Sequence, residues 1–223
     1  MCKQFLTALA IACATTSAIA EEAAKPATRF EKHIQRFEEM DKRQPPERGG
    51  ILFVGSSSIV RWKLERWFEG MPVLNRGFGG STLADLNYYA ERVVLPYEPS
   101  RIVLYSGGND IAFGKEPKEV VDDLETFLDW VAKNLPQTKL IVLAIKPSTR
   151  RVAQWPLQCE ANDGFRALAK NRENVVFLDV ATPMLNEHGE VDETLLCEDA
   201  LHLSDKGYAL WAGLLMPHLD GLP

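Results

Sequence analysis

The chain has 223 residues, of which 46% are hydrophobic and 25% are charged, and its formal net charge is −6. This length and apolar content suit one globular domain with an ample core and argue against tandem domains. The acidic balance disfavours a nucleic-acid partner, because phosphate binding depends on concentrated Lys and Arg.

Residues 1–20 have the pattern of a secretory signal peptide. A positive charge at Lys3 precedes an apolar stretch too short to span a bilayer, and the Ala-Ile-Ala ending at Ala20 has the small-x-small form of a cleavage site. The pattern predicts export to the periplasm or the medium after cleavage near Ala20, with no stable membrane insertion afterwards. The alternatives are a buried N-terminal helix and a lipid anchor on Cys13.

The next segment, residues 21–48, is predicted to be helical. Phe30, Ile34 and Phe37 stand at helical spacing, and a stretch rich in Pro and Gly ends the pattern. A single domain is predicted to follow over residues 49–223, with no repeat or low-complexity tract.

Five short apolar runs in this domain predict buried β-strands. They lie at residues 51–54, 73–74, 102–105, 140–144 and 175–178. Helices are predicted to begin at Pro117, to run from about Trp155 to Lys170, and to follow Ser204, which can cap the last one. The alternation predicts an α/β fold, a flavodoxin-like three-layer sandwich with a five-stranded parallel sheet, in which ligands bind beyond the carboxyl ends of the strands.

Glycine-rich loops follow the first three predicted strands. They read Gly55-Ser56-Ser57-Ser58, Gly77-Phe78-Gly79-Gly80 and Gly107-Gly108-Asn109-Asp110. Glycine lets a backbone N–H approach a ligand closely and Asn109 adds a side-chain donor, so the second and third loops could supply an oxyanion hole. Taken singly, each loop is equally consistent with an ordinary turn.

Of the four histidines, His202 is the one with an acid at fixed short spacing, Asp199. A serine hydroxyl is a weak nucleophile unless a histidine takes its proton and an acid holds that histidine in the right tautomer. Together with an early serine loop, this pair indicates a serine hydrolase. The alternative is that Asp199 caps the helix beginning near Ser204 and that His202 is an ordinary turn residue.

With these four segments in this order, the sequence resembles the SGNH, or GDSL-type, hydrolase family from about Ile51 to Leu215. The resemblance implies Ser57 as the nucleophile, Asp199 as the acid and His202 as the base.

The same resemblance implies an oxyanion hole formed by the backbone N–H groups of Ser57 and Gly80 and by the side-chain amide of Asn109. Ser56 stands where the family carries an aspartate. The segment over residues 55–62 is also similar to a bacterial branch related to the platelet-activating-factor acetylhydrolase type.

The predicted function is therefore that of an exported serine esterase without a cofactor, acting on a small ester or an acylated glycan or lipid. Short acyl groups, acetyl above all, are expected, because residues 100–189 hold no long apolar insertion that could form a lid. The alternatives are a lysophospholipase or thioesterase-type acyl hydrolase, a non-catalytic flavodoxin-like ligand-binding module, and a lectin or scaffold with the esterase fold.

Weaker signals concern substrate contacts. Phe78 and Trp155 could line an acyl or sugar subsite, although aromatic residues at such junctions more often pack in the core. Lys146, Arg150 and Arg151 follow the fourth strand and could attract an anionic group, although such scattered charge more often marks a solvated loop.

Two cysteines remain after signal cleavage, Cys159 and Cys197. A disulfide between them could tether the catalytic loop in an oxidising compartment, and two free thiols are the alternative. They lack the paired spacing of zinc ligands, so no metal site is predicted.

Overall fold

A computed structural model describes residues 28–219 of the chain. The predicted signal peptide and the start of the predicted N-terminal helical segment lie outside the described residues. One parallel sheet has the strand order β2-β1-β3-β4-β5. The strands are β1 (Ile51–Gly55), β2 (Val73–Gly77), β3 (Arg101–Tyr105), β4 (Lys139–Leu143) and β5 (Val175–Leu178).

Helices connect the strands and cover the sheet. They are α1 (Glu31–Arg43), α2 (Ser57–Val60), α3 (Leu64–Trp67), α4 (Leu83–Val93), α5 (Gly108–Ala112), α6 (Pro117–Asn134), α7 (Trp155–Lys170) and α8 (Asp205–Leu219). Short 3-10 turns occupy Thr28–Phe30, Leu95–Tyr97, Thr149–Gln154, Thr182–Met184 and Glu193–Leu195. Within residues 28–219, no helix combines the length and the apolar character needed to cross a membrane.

The two faces of the sheet bury separate apolar clusters because successive residues of a strand point to opposite faces. In β1, Leu52 and Val54 pack with residues of α1, α4, α6 and α7, whereas Ile51 and Phe53 pack with residues of α2, α3 and α8. This confirms the predicted three-layer α/β sandwich with a five-stranded parallel sheet.

The bounds of the longer predicted elements follow the sequence patterns closely. Strand β2 extends to Gly77 because the buried Arg76 finds polar partners in Asp41 and in the hydroxyl of Tyr97, which accepts its Nε–H at 2.7 Å. Helix α4, which joins β2 to β3, was missing from the predicted elements, and so were the short helices α2, α3 and α5. At the other end of the chain, the hydroxyl of Ser204 accepts the N–H of Gly207 at 3.3 Å, so the predicted cap of α8 is present.

The disulfide considered between Cys159 and Cys197 does not form in this structure, where both thiols are free. The surroundings of the two residues differ. The Cys197 thiol donates to the carbonyl of Leu203 at 3.1 Å, whereas Cys159 lies near the carboxylates of Asp163 and Asp179. Burial and these two negative charges raise the pKa of the Cys159 thiol.

Candidate active site

The three predicted glycine-rich loops meet at one edge of the sheet. Ser57 follows β1 as the first residue of α2, Gly80 follows β2, and Asn109 follows β3 within α5. Because β2, β1 and β3 are parallel neighbours, their carboxyl ends lie side by side. The loop that carries Asp199 and His202 folds over the same edge.

The imidazole of His202 joins the serine to the aspartate. Its Nε2 lies 2.9 Å from the Oγ of Ser57, and its Nδ1 lies 2.6 Å from Oδ2 of Asp199. A carboxylate facing Nδ1 favours the tautomer that carries its proton there, which leaves Nε2 free to accept the proton of the hydroxyl. This arrangement can turn a serine hydroxyl into a nucleophile.

The loop of Asp199 and His202 is shaped by its own hydrogen bonds. Oδ1 of Asp199 accepts the backbone N–H groups of Leu201 at 3.1 Å and His202 at 2.8 Å, while Ala200 takes a left-handed φ of 54°. The bond from the His202 N–H, with the other bonds of this turn, holds the pKa of Asp199 well below its usual range. Asp199 therefore organises this turn as an ionised carboxylate and does not cap α8.

Lys146, which follows β4, anchors the same loop. Its side chain is buried, and its Nζ donates to the carbonyl of Leu201, the residue next to His202. Burial and repulsion from Arg151 lower the pKa of Lys146 to about 7. Lys146 therefore stabilises this loop through a hydrogen bond to a backbone carbonyl. The sequence had suggested instead that this side chain could attract an anionic group of the substrate.

Three candidate donors for a substrate oxygen lie on the loops that follow β1, β2 and β3. Among the residues that the structure describes, the backbone N–H groups of Ser57 and Gly80 donate no hydrogen bond. Nδ2 of Asn109 gives one of its two protons to the carbonyl of Ser81 at 3.0 Å, which leaves the other proton free. These are the three donors that the sequence resemblance implied.

Asp110 is a structural part of this site that the sequence reasoning missed. Its carboxylate is fully buried and accepts the N–H of Leu83, the first residue of α4, at 3.1 Å. The bond ties the loop of Asn109 to the helix that follows the Gly80 turn. The Asn-Asp pair was visible in the sequence, but it looked like ordinary turn chemistry.

The space around Ser57 is small and polar, whereas a larger groove lies nearby. The cavity at the serine has a volume of about 20 Å³ and is lined by Ser56, Ser57, Ser58, Tyr105, Gly108, Asn109, Lys146, Arg151, Leu201 and His202. The groove has a volume of about 510 Å³ and lies between the loops that follow β4 and β5. Its lining consists of Pro147, Ser148, Thr149, Val152, Trp155, Leu185, Asn186, Gly189, Glu190, Val191 and Glu193.

Three of the weaker substrate candidates, Trp155, Arg150 and Phe78, have different positions. Trp155 lines the large groove, and the exposed Arg150 donates its backbone N–H to Ala200 at 3.0 Å. The prediction for Phe78 was wrong, because its ring is completely buried and packs edge-on against Phe30 with centroids 5.1 Å apart. Within residues 28–219, no group of three or more His, Cys, Asp or Glu side chains is placed to hold a metal ion.

The fold is thus an α/β sandwich that carries the hydrogen-bonded side chains of Ser57, His202 and Asp199 at the carboxyl edge of its parallel sheet. The chain belongs to the GDSL-like Lipase/Acylhydrolase family, whose model matches residues 54–210. The sequence resemblance to SGNH, or GDSL-type, hydrolases is thereby confirmed.

Similar proteins include an animal enzyme subunit and bacterial structures. The chain is 28% identical over 170 residues to Platelet-activating factor acetylhydrolase IB subunit alpha2 of Homo sapiens, covering 71% of each. A platelet-activating-factor candidate from Streptococcus pneumonia superposes with a TM-score of 0.76 at 23% identity, covering 92% of this chain and 99% of that one. A variant of an acetyl-xylooligosaccharide esterase from Geobacillus Stearmophilus gives a TM-score of 0.61 at 18% identity, covering 79% and 97%. The two structural matches establish similarity of fold.

Proposed function

We propose that this protein is a serine carboxylic-ester hydrolase with Ser57 as nucleophile, His202 as general base and acid, and Asp199 as the residue that orients the imidazole. The observation that carries the proposal is the chain of hydrogen bonds from Ser57 Oγ through the His202 ring to Asp199, at 2.9 and 2.6 Å. The family match supports acyl hydrolysis as the class of reaction.

The reaction is a two-step acyl transfer to water. His202 takes the proton of Ser57 as the hydroxyl attacks the ester carbonyl, and it then protonates the leaving alcohol. The N–H groups of Ser57 and Gly80 and the amide of Asn109 hold the negative oxygen of the tetrahedral intermediate, and loss of one such donor typically costs about 2.7–4 kcal/mol of barrier. Water then attacks the acyl-enzyme with His202 again acting as base.

The cavity at Ser57 favours a short acyl group. Its volume of about 20 Å³ is close to the space that one water molecule needs. The larger groove beside it, which contains Trp155, suits the alcohol part of the ester. Both Glu190 and Glu193 line this groove, so we infer a neutral alcohol such as a glycan. Two relatives are named as an acetylhydrolase subunit and an acetyl-xylooligosaccharide esterase, which supports an acetyl ester as substrate.

Acyl-chain length tests this proposal. We expect nitrophenyl acetate to give the highest kcat/KM, followed by butyrate, octanoate and palmitate. Each CH₂ that stays in water forgoes about 0.8 kcal/mol of burial, so longer chains gain little affinity at a polar rim. The measurement is kcat/KM for the four esters, and labelling by a fluorophosphonate probe shows in parallel that the serine is activated.

A longer-chain acyl hydrolase, such as a lysophospholipase, is the second candidate function, since Val152, Leu185 and Val191 give the large groove an apolar part. If octanoate or palmitate is the best substrate and Trp155→Ala removes that preference, the groove holds the acyl chain. An unlabelled, inactive protein would instead favour a non-catalytic ligand-binding module.

The pH profile provides an independent test. Hydrolysis is expected to fall as the pH is lowered, because the imidazole of a general base must be neutral. Asp199 does not cause this fall: its pKa is lowered, so its charge is lost only at far more acidic pH. The measurement is kcat/KM from about pH 5 to 8.

Lys146 must be separated from this effect because its pKa is lowered to about 7. A Lys146→Met variant is expected to keep the acidic limb of the profile even if its overall rate is lower. A flat profile in the unaltered protein would contradict the role of His202.

A further inference from the structure

The side-chain amide of Asn109 is held from both ends. Its Oδ1 accepts a hydrogen bond from Nη2 of Arg151 at 3.1 Å, and its Nδ2 donates to the carbonyl of Ser81 at 3.0 Å. A guanidinium can only donate and a carbonyl can only accept, so a 180° flip of the amide would break both bonds. These two partners therefore determine which end of the amide faces the loop of Gly80.

Arg151 also holds the backbone of the same segment. Its Nη1 donates to the carbonyl of Gly108, the residue directly before Asn109, at 2.9 Å. The guanidinium is a rigid planar fork, so two bonds from one side chain restrict both the position and the rotation of Asn109. A lysine, with a single nitrogen, cannot reproduce this geometry.

The charge of Arg151 is not neutralised by a carboxylate within residues 28–219; both of its side-chain hydrogen bonds there go to the uncharged oxygens of Gly108 and Asn109. Burial lowers the pKa of its guanidinium, which shows the cost of placing a cation here. A positive charge on the oxygen of an amide withdraws electron density from its nitrogen and makes the N–H a stronger donor. The second N–H of Asn109, which Ser81 does not use, gains from this effect.

We propose that Arg151 is a positioning residue for ester hydrolysis, whose guanidinium fixes and polarises the amide of Asn109 as an oxyanion donor. The inference rests on the proposed function, in which Asn109 stabilises the oxyanion. In this role Arg151 acts through Asn109, and its side chain also lines the cavity at Ser57.

A double-mutant cycle on the full chain tests this, with nitrophenyl acetate as substrate. Asn109→Ala is expected to lower kcat by about 100- to 1000-fold. Arg151→Met is expected to lower kcat by about 10- to 100-fold with KM nearly unchanged, because it misplaces a group that acts only in the transition state. The double variant should be no slower than Asn109→Ala alone, since Arg151 then has no amide to position.

The matched control is Arg166→Met, which removes an exposed arginine of α7 that pairs with Asp163; its rate should equal that of the unaltered protein. The kcat of the double variant could instead be lower than that of Asn109→Ala by the same factor that Arg151→Met causes alone. Arg151 would then act independently of the amide, and the proposal would be overturned. A normal kcat in Asn109→Ala overturns the oxyanion role of Asn109 and this inference with it. The esterase assignment itself fails separately, if the unaltered protein hydrolyses no ester.

A second substitution keeps the test valid if Arg151→Met does not fold. Arg151→Lys retains the charge but loses the fork, so its kcat should lie between those of the unaltered protein and Arg151→Met. The cycle with Asn109→Ala is then run on Arg151→Lys. Equal kcat values for Arg151→Lys and the unaltered protein would overturn the proposal.

Discussion

Replacing Ser57 with alanine is expected to abolish ester hydrolysis, with a loss in kcat of about 10⁴-fold or more, as for other serine hydrolases that lose their nucleophile. The Oγ of Ser57 lies 2.9 Å from Nε2 of His202, and no other serine hydroxyl has this contact among the described residues. Alanine removes the attacking oxygen and leaves the fold intact. The measurement is kcat for nitrophenyl acetate, together with labelling by a fluorophosphonate probe, which should also disappear.

The neighbouring serines provide the controls. Ser56 and Ser58 are buried, and the contact of Ser58 with α8 uses its backbone carbonyl, which accepts the hydroxyl of Tyr208 at 2.8 Å. Ser56→Ala and Ser58→Ala should therefore keep most of the activity. Full activity in Ser57→Ala would refute the assignment of the nucleophile, and loss of labelling in Ser56→Ala alone would shift it by one residue.

Gly55→Ala is expected to destabilise the fold by more than about 4 kcal/mol, an exceptional effect for a single substitution. Gly55 ends β1 with a φ of 128°, and a Cβ there would lie 1.9 Å from the carbonyl oxygen of Tyr105 in β3. Backbone atoms of two paired central strands cannot move apart without breaking the sheet. Urea unfolding and the yield of soluble protein measure the effect.

Gly70→Ala separates the steric contact from the backbone conformation. Gly70 has a φ of 77°, but a Cβ there would meet no atom within 4 Å. Its substitution carries only the cost of the left-handed conformation, about 1–2 kcal/mol. Similar unfolding free energies for Gly55→Ala and Gly70→Ala would contradict the close approach of β1 and β3 that places Ser57.

Much of the fold could be predicted because its elements follow local periodicity. The bounds of α7 and β5 agree with the apolar patterns at those positions, since burial of one face imposes the pattern directly. Helix α4 was missed, although Thr82 and Asp85 form a capping box at its start and Leu86 and Tyr89 continue its apolar face. The capping residues and the apolar face of this helix were visible in the sequence. They follow directly after the loop over residues 77–80, which was interpreted as a source of oxyanion donors.

By itself, the sequence determined the order of the glycine loops and the spacing of Asp199 and His202, because these features are local and follow from strand ends and one short turn. Only the tertiary structure decided which distant groups meet. The hydrogen bond between Arg151 and Asn109 spans 42 residues and that between Lys146 and Leu201 spans 55. Such contacts depend on the strand order β2-β1-β3-β4-β5, which brings the loop after β4 beside the loop after β3. No local pattern encodes that order, and for the same physical reason the burial of Phe78 emerged only from the folded chain.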